Sequence, residues 1–153
     1  MRISYLCRAA IIAVLAHASA SHAHLGGNVS SVNTDQSVLR ATRMTESAQR
    51  YTIHQMTLPR GTLVREYVSP AGVVFGVSWH GPVMPNLKQI LGSYSTEAGN
   101  GAKAFREKYP GLGPVLVANS NLSMVTAGHM GGYVGHAFLR QSMPAGVTGR
   151  DIK

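Results

Sequence analysis

Five histidines lie beyond the first 23 residues, and two of them have a spacing that suits a shared metal ion. If Gly131-Gly132 forms the two-residue turn of a β-hairpin, His129 and His136 become diagonal neighbours on one face of its strands. Two imidazoles placed in this way can bind one metal ion, with His80 or Glu66 as a third ligand. A shift of one residue in the pairing of the two strands would separate the histidines. The alternative to a metal site is two surface histidines on a hairpin. Because this spacing is far less specific than a metalloprotease motif, we predict no metal or other cofactor.

Glu66 and His80 are the residue types of an acid–base pair, and both belong to the predicted central hairpin. Their spacing does not require contact, and the alternative is an ion pair of Arg65 or Glu66 with a neighbouring strand. Trp79 ends a predicted strand, where it either joins the core or lines the mouth of a pocket. We therefore assign no catalytic residue, and we keep Glu66, Trp79 and His80 as candidate binding residues.

No stretch of the sequence carries a strong catalytic signature. Residues 76–80 (GVSWH) come nearest to the Gly-x-Ser-x-Gly elbow of hydrolases, but His80 replaces the second glycine and no helix follows directly. Only six acidic residues are present, which leaves few carboxylate pairs for glycosidase-type chemistry. The glycine pairs lie near strand ends, where they suit turns better than phosphate binding. These observations favour a module that binds without catalysis.

The N-terminus has the three parts of a secretory signal peptide. Arg2 and Arg8 supply the positive charge, residues 9–16 (AAIIAVLA) form a short apolar run, and small residues follow. Cleavage after Ala23 or after Ala20 fits the pattern. The apolar run is much shorter than the roughly 20 residues that span a bilayer, so we predict no transmembrane span after signal removal. We predict an exported protein, in the periplasm, with secretion or outer-membrane association as alternatives.

Removal of residues 1–23 changes both the redox chemistry and the charge of the chain. Cys7 is the only cysteine, so the mature chain has no thiol for a disulfide, a nucleophile or a metal. The net charge falls from +8 to +6 because two arginines leave. A basic cytoplasmic domain would suggest nucleic acid, but export argues against that partner. We expect instead an envelope protein or an anionic envelope component, and the alternative is a solvated basic surface.

Alternating apolar and β-branched residues predict strands through much of the chain. A weak strand signal covers 38–45, clearer strands cover 50–58, 62–69, 73–79, 121–130 and 133–140, and 116–118 allows a short strand. The best-defined hairpin joins 62–69 to 73–79 through the turn Ser-Pro-Ala-Gly. In its second strand Val73, Phe75, Val77 and Trp79 share one face by the period of two, and we expect this face to meet the core.

Helical periodicity is confined to the middle of the chain. Leu87, Ile90, Leu91 and Tyr94 form an apolar stripe after Pro85, and a second helical segment covers 101–109. Strands, helices and again strands predict an α+β fold, with a mostly antiparallel sheet and one or two helices, about 85–109, packed on one face. We predict a signal peptide (1–23), a flexible arm (24–37), a single domain (38–143) and a C-terminal tail (144–153).

Several short segments resemble an uncharacterised family of small exported proteobacterial proteins, classed as a domain of unknown function. The segments that carry the resemblance are 25–27 (LGG), 65–68 (REYV), 72–75 (GVVF), 79–82 (WHGP), 85–87 (PNL) and 91–92 (LG). Asn86 departs from the aspartate that the family pattern implies; as a helix cap it would serve nearly as well. The resemblance implies export and an unknown activity, and it carries over no catalytic residue.

Two classes of function therefore compete. The first is a non-enzymatic periplasmic or secreted module that binds a protein or an envelope component. The second is a small hydrolase or metal-dependent enzyme that uses Glu66, His80, His129 and His136. The second requires these four side chains to converge within about 4–6 Å in a pocket, where charges and ligands couple.

Overall fold

The computed structural model describes residues 24–153, so the predicted signal peptide lies outside the described residues. One antiparallel sheet of seven strands forms the centre of the fold, in the spatial order β1-β2-β3-β4-β7-β6-β5. The strands are β1 (Thr42–Ser47), β2 (Thr52–Thr57), β3 (Leu63–Val68), β4 (Val74–Gly81), β5 (Val115–Ala118), β6 (Leu122–His129) and β7 (Gly132–Leu139). The predicted α+β architecture with a mostly antiparallel sheet is confirmed.

Within residues 24–153, three α-helices accompany the sheet: α1 (Val32–Val38), α2 (Leu87–Leu91) and α3 (Ser95–Lys108). Asn86 caps α2 by accepting a hydrogen bond from the Gln89 main-chain N–H at 3.3 Å, which is the role that an aspartate would fill there. Gly92, with a φ of +53°, ends α2, and a 3-10 turn leads into α3. The two helices predicted within 85–109 are thus α2 and α3.

The helices define the two faces of the sheet. We call the side against which α2 and α3 pack the helix face; its core contains Val64, Val77, Ile90 and Ala98, all buried. The opposite side, the tail face, has a smaller core in which the C-terminal Ile152 packs against aromatic rings. Each strand alternates its side chains between these faces. Two residues can therefore belong to one site only if they lie on the same face.

A β-bulge in the central hairpin changes one prediction about these faces. Tyr67 pairs with Gly76 and Val68 pairs with Val74, so Phe75 is an extra residue on β4. Val77 and Trp79 belong to the helix-face core, as predicted, but Phe75 packs with the tail-face cluster. The prediction that Phe75 shares their face was wrong, because a bulge reverses the alternation beyond it.

The β6–β7 hairpin also has a register different from the predicted one. His129 pairs with Gly132, so Met130-Gly131 and not Gly131-Gly132 forms the two-residue turn. Gly131 has a φ of +86°, in the left-handed region of backbone conformation, which favours glycine because it has no β-carbon. The predicted register was wrong, because the observed partner of His129 lies two residues away from the predicted one. As a result, His129 and His136 are further apart than predicted.

Both terminal segments of the described chain pack against the sheet, which differs from the flexible arm and the tail expected at 24–37 and 144–153. Leu25 is fully buried, and the main-chain N–H of Gly26 donates to the Val74 oxygen at 2.8 Å. At the other end Ile152 is 2 % exposed and lies over Gly76, within 3.1 Å of where a β-carbon would be. Between residues 24 and 153, no helix is long and apolar enough to cross a membrane.

Candidate functional site

Glu66 and His80, the predicted acid–base candidates, lie on opposite faces of the sheet. Glu66 pairs with Val77 on the helix face and has no exposed surface. His80 pairs with Leu63 and is exposed on the tail face. The sheet separates the two side chains, so they cannot act as a pair.

The predicted metal pair His129 and His136 is also separated. His136 pairs with Val125, and His129 lies at the hairpin tip, four positions further along β6, about 13 Å at the usual rise of a strand. On the tail face His136 is instead the diagonal neighbour of His80, because Ser78 pairs with His136 and His80 with Val134. Within residues 24–153, no three His, Cys, Asp or Glu side chains are grouped as metal ligands would be.

Trp79 belongs to the helix-face core, 1 % exposed. Its indole lies directly over Gly135 of the neighbouring strand, where a β-carbon would come within 2.2 Å of Cζ2. The indole Nε1 is buried and has no hydrogen-bond partner among the described residues. Trp79 is thus a core residue with one unsatisfied donor.

The structure places a different set of polar groups around Glu66. Asp35 of α1 is fully buried against it, and the two carboxyl groups interact. Gln89 of α2 donates from Nε2 to Asp35 Oδ1 at 2.7 Å. Arg43 of β1 lies near enough to act on Glu66 electrostatically, and its Nη1 donates to Asn33 Oδ1 at 2.7 Å. We call Asp35, Arg43, His54 and Glu66 the buried carboxyl cluster.

Strand register places His54 in this cluster. Thr45, His54 and Glu66 lie in one row across β1, β2 and β3. The Thr45 hydroxyl is 3.1 Å from His54 Nδ1, while His54 Nε2 is buried without a partner in the described structure. Burial, and to a lesser extent the positive charge of Arg43, lower the pKa of His54. Its imidazole is therefore neutral at neutral pH.

The environment of Glu66 favours its protonated form. Desolvation is the main cause that raises the pKa of Glu66 well above its usual value, followed by the charge of Asp35 and the hydrogen bond with it; Arg43 partly opposes this. No N–H or O–H group of residues 24–153 donates to either Glu66 oxygen. The contact with Asp35 is consequently a hydrogen bond only when one carboxyl carries a proton. The buried carboxyl cluster joins α1 to the sheet. Glu66 has no exposed surface, so in this structure its side chain cannot contact a substrate.

A groove on the tail face is a second place where side chains named above lie together. It has a volume of about 930 Å³ and lies between the β6–β7 strands and the C-terminal segment. Its lining residues are Ser123, His136, Phe138, Thr148, Gly149, Arg150, Ile152 and Lys153. The rings of His136 and Phe138 stack with an interplanar angle of 15°. Burial lowers the pKa of His136, so this wall of the groove is largely uncharged.

The C-terminal segment that forms the other wall is firmly held. The main-chain oxygen of Lys153 accepts hydrogen bonds from Tyr67 Oη and Ser78 Oγ, both at 2.6 Å, and from Arg65 Nη1 at 2.9 Å. Asp151 accepts from the Thr148 main-chain N–H at 2.7 Å and thereby closes the last turn. These bonds fix the groove in shape.

Sequence reasoning missed both Asp35 and the two basic residues of the groove, because it placed them in segments outside the domain. A signal for the C-terminal turn was present: Thr148 followed three residues later by Asp151 has the capping-box spacing. Asp35 had no comparable signal, since its burial depends on Glu66 and Gln89, which are distant in sequence.

The family model for a protein of unknown function named DUF2844 matches residues 21–152. No curated protein matches the chain, and no solved structure does either. The match covers both faces of the sheet, the buried carboxyl cluster and nearly all of the groove. It confirms the resemblance to an uncharacterised domain family, and the chain therefore belongs to the DUF2844 family of proteins of unknown function.

Proposed function

We propose that this protein is an exported, non-enzymatic binding module that takes up an anionic envelope component through the tail-face groove. The observation that carries the proposal is the composition of the groove: an apolar floor with Arg150 and Lys153 beside it. An apolar wall with a few charged groups at its edge is the usual design of a site that binds without reacting.

Charge complementarity supports an anionic ligand. Among the groove-lining residues within the described range, Arg150 and Lys153 are positive and none is acidic. Residues 24–153 carry a net charge of +6, so the surrounding field attracts anions as well. The Phe138 ring and the Ile152 side chain favour a ligand that also has an apolar part, such as an acidic phospholipid.

Export is a part of this proposal that rests on the sequence. The charged start, the apolar run and the small residues before Ala23 support it. N-terminal sequencing of the protein from the periplasmic fraction should find a start after Ala23 or Ala20. Recovery of the intact N-terminus from the cytoplasm would contradict it.

The geometry gives no support to the alternative of a hydrolase or metal enzyme that uses Glu66, His80, His129 and His136. That hypothesis required the four side chains to converge. Glu66 is buried on the helix face, His80 and His136 lie on the tail face, and His129 lies at a hairpin tip.

Vesicle co-sedimentation tests the binding role. We expect the purified protein to bind phosphatidylglycerol vesicles and not phosphatidylcholine vesicles. The variant Arg150→Gln should bind several-fold more weakly, because one charge near an anionic surface contributes about 1 kcal/mol. Arg60→Gln is the matched control, since Arg60 is an exposed arginine in the β2–β3 turn, away from the groove. Equal loss in both variants would show that overall charge, and not the groove, attracts the vesicles, and no binding would overturn the phospholipid proposal.

A further inference from the structure

A second cavity lies on the helix face, separated from the groove by the sheet. It has a volume of about 350 Å³ and lies between α2, the first half of α3 and strand β6. Its apolar lining consists of Leu87, Leu91, Ala98, Ala102 and Met124. This volume is at the lower end of the roughly 300–1,000 Å³ that is typical of small-molecule sites. We call it the helix-face cavity.

Glycine and alanine leave this space open. Gly99 lines the cavity on α3, and a β-carbon added there would meet nothing within 4 Å. Ala102 lies one turn further along the same helix and is half-buried. Larger side chains at these two positions would fill the cavity, although α3 still packs closely elsewhere: a β-carbon at Gly101 would come within 2.5 Å of Val117.

The strand floor of the cavity contains an unsatisfied polar atom. Thr126 Oγ1 is buried, and it has no hydrogen-bond partner within the described chain. Thr126 pairs with Gly135, and Gly135 pairs with Trp79, so the three residues form one row across the helix face. The indole lies over Gly135, the middle residue of this row. The cavity floor therefore carries one hydroxyl among apolar side chains, a composition that is common in small-molecule sites.

The charge at the cavity defines the ligand further. Lys88 of α2 is exposed at the edge, and among the lining residues in the part of the chain that the structure covers it alone is charged. An ammonium group beside an apolar cavity pairs with an anion whose apolar body enters the cavity.

We propose that the helix-face cavity binds a small monocarboxylate with an apolar chain, of the size of a medium-chain fatty acid. The chain packs among Leu87, Leu91 and Met124, and the carboxylate pairs with Lys88. This site is independent of the tail-face groove, since the two lie on opposite faces of the sheet.

The only tryptophan of the chain provides the readout. Trp79 lies in the row that ends at the cavity floor, so a ligand there should change its emission. We expect decanoate, titrated below its micelle concentration, to produce a saturable change in Trp79 fluorescence. Lys88→Gln should weaken decanoate binding by about five-fold, the effect of one partly exposed ion pair. The affinity for decanol, which has no charge, should stay unchanged in that variant.

Filling variants locate the site. Ala102→Phe should abolish the decanoate response, while Ala104→Phe, the same change on the exposed side of α3, should keep it. If Ala102→Phe does not fold, as judged by circular dichroism, Gly99→Leu takes its place, because a β-carbon at this cavity-lining position meets no atom within 4 Å. The absence of a saturable response in the wild type, or an equal response in the filling variant and Ala104→Phe, would overturn the proposal.

Discussion

At the scale of single residues, Glu66 shows how burial can make a side chain chemically unusual. It is a carboxylic acid with no exposed surface, and its nearest ionisable neighbour is a second buried acid, Asp35. The groups that face it from the surrounding elements are Asp35 from α1, Arg43 from β1 and His54 from β2. One proton on the pair removes the repulsion between two negative charges, so protonation and folding are linked.

The linkage predicts that Glu66 makes the protein less stable as the pH rises. The pKa of Glu66 is near 4.5 in the unfolded chain and raised in the folded one. Above 4.5 the unfolded state releases this proton while the folded state keeps it, so the free energy of unfolding falls until the folded pKa is passed. Glu66→Gln, which cannot ionise, should show a flatter decline. Urea denaturation between pH 4.5 and 8 measures this.

The comparison between variants isolates Glu66 from the histidines. The lowered pKa values of His54 and His136 make stability rise with pH, from each lowered pKa up to about 6.5, and so oppose the effect of Glu66. His136 lies on the opposite face of the sheet from Glu66, so its contribution is the same in both proteins. Glu107→Gln, an exposed acid on α3, is the control and should leave the pH dependence of the wild type unchanged. A Glu66→Gln curve parallel to the wild type would refute the linkage.

At the scale of elements, most strands and two helices could be predicted from the sequence, whereas their pairing details could not. The period of two found the β3–β4 hairpin within two residues at each end, because its apolar residues alternate regularly. It could not find the bulge that turns Phe75 to the tail face, since a bulge depends on contacts with the neighbouring strand. The β6–β7 turn was ambiguous because Gly131 and Gly132 both suit a turn.

Helix α1 was missed for a related reason. It has seven residues, of which only Val32 and Asp35 are buried, so its apolar periodicity is too short to recognise. Short helices have little stability of their own and depend on tertiary contacts. For α1 one such contact is the hydrogen bond from Gln89 of α2 to Asp35.

This contact predicts that Gln89 stabilises the docking of α1. Gln89→Ala removes a donor to a buried carboxyl and should lower the free energy of unfolding by about 1–3 kcal/mol. Gln141→Ala, an exposed glutamine in the turn after β7, should change it by less than about 0.5 kcal/mol. Chemical denaturation of both variants gives the comparison. Equal stability of the two would show that the hydrogen bond to Asp35 does not hold α1.

At the scale of the whole molecule, the fold consists of one sheet with a core on each side. The helix-face core is formed by residues between Leu25 and Leu139, and the tail-face core depends on the last few residues. The sequence predicted the helix-face core through the apolar stripe of α2 and the alternating apolar residues of β4. It did not indicate the second, because Ile152 is a single apolar residue in a polar segment and only the folded sheet supplies its partners.

The tail-face core makes Ile152 important to the stability of the entire protein. Ile152→Ala should lower the free energy of unfolding by about 2–5 kcal/mol, because it leaves a cavity against Tyr67 and Phe75. Val38→Ala removes methyl groups from a residue that is 55 % exposed and should have little effect. Thermal or urea unfolding measures both. A small effect of Ile152→Ala would show that the C-terminal segment packs loosely.

The two edge strands of the seven-stranded sheet, β1 and β5, differ in how readily another strand can pair with them. β1 carries Arg43 and Glu46 along one edge, and charged side chains there discourage a further strand from pairing. β5, at the other edge, is the four-residue strand Val-Leu-Val-Ala with Leu116 half exposed and no charge. Concentrated solutions should therefore associate first through the β5 edge, and Leu116→Lys should keep the protein monomeric.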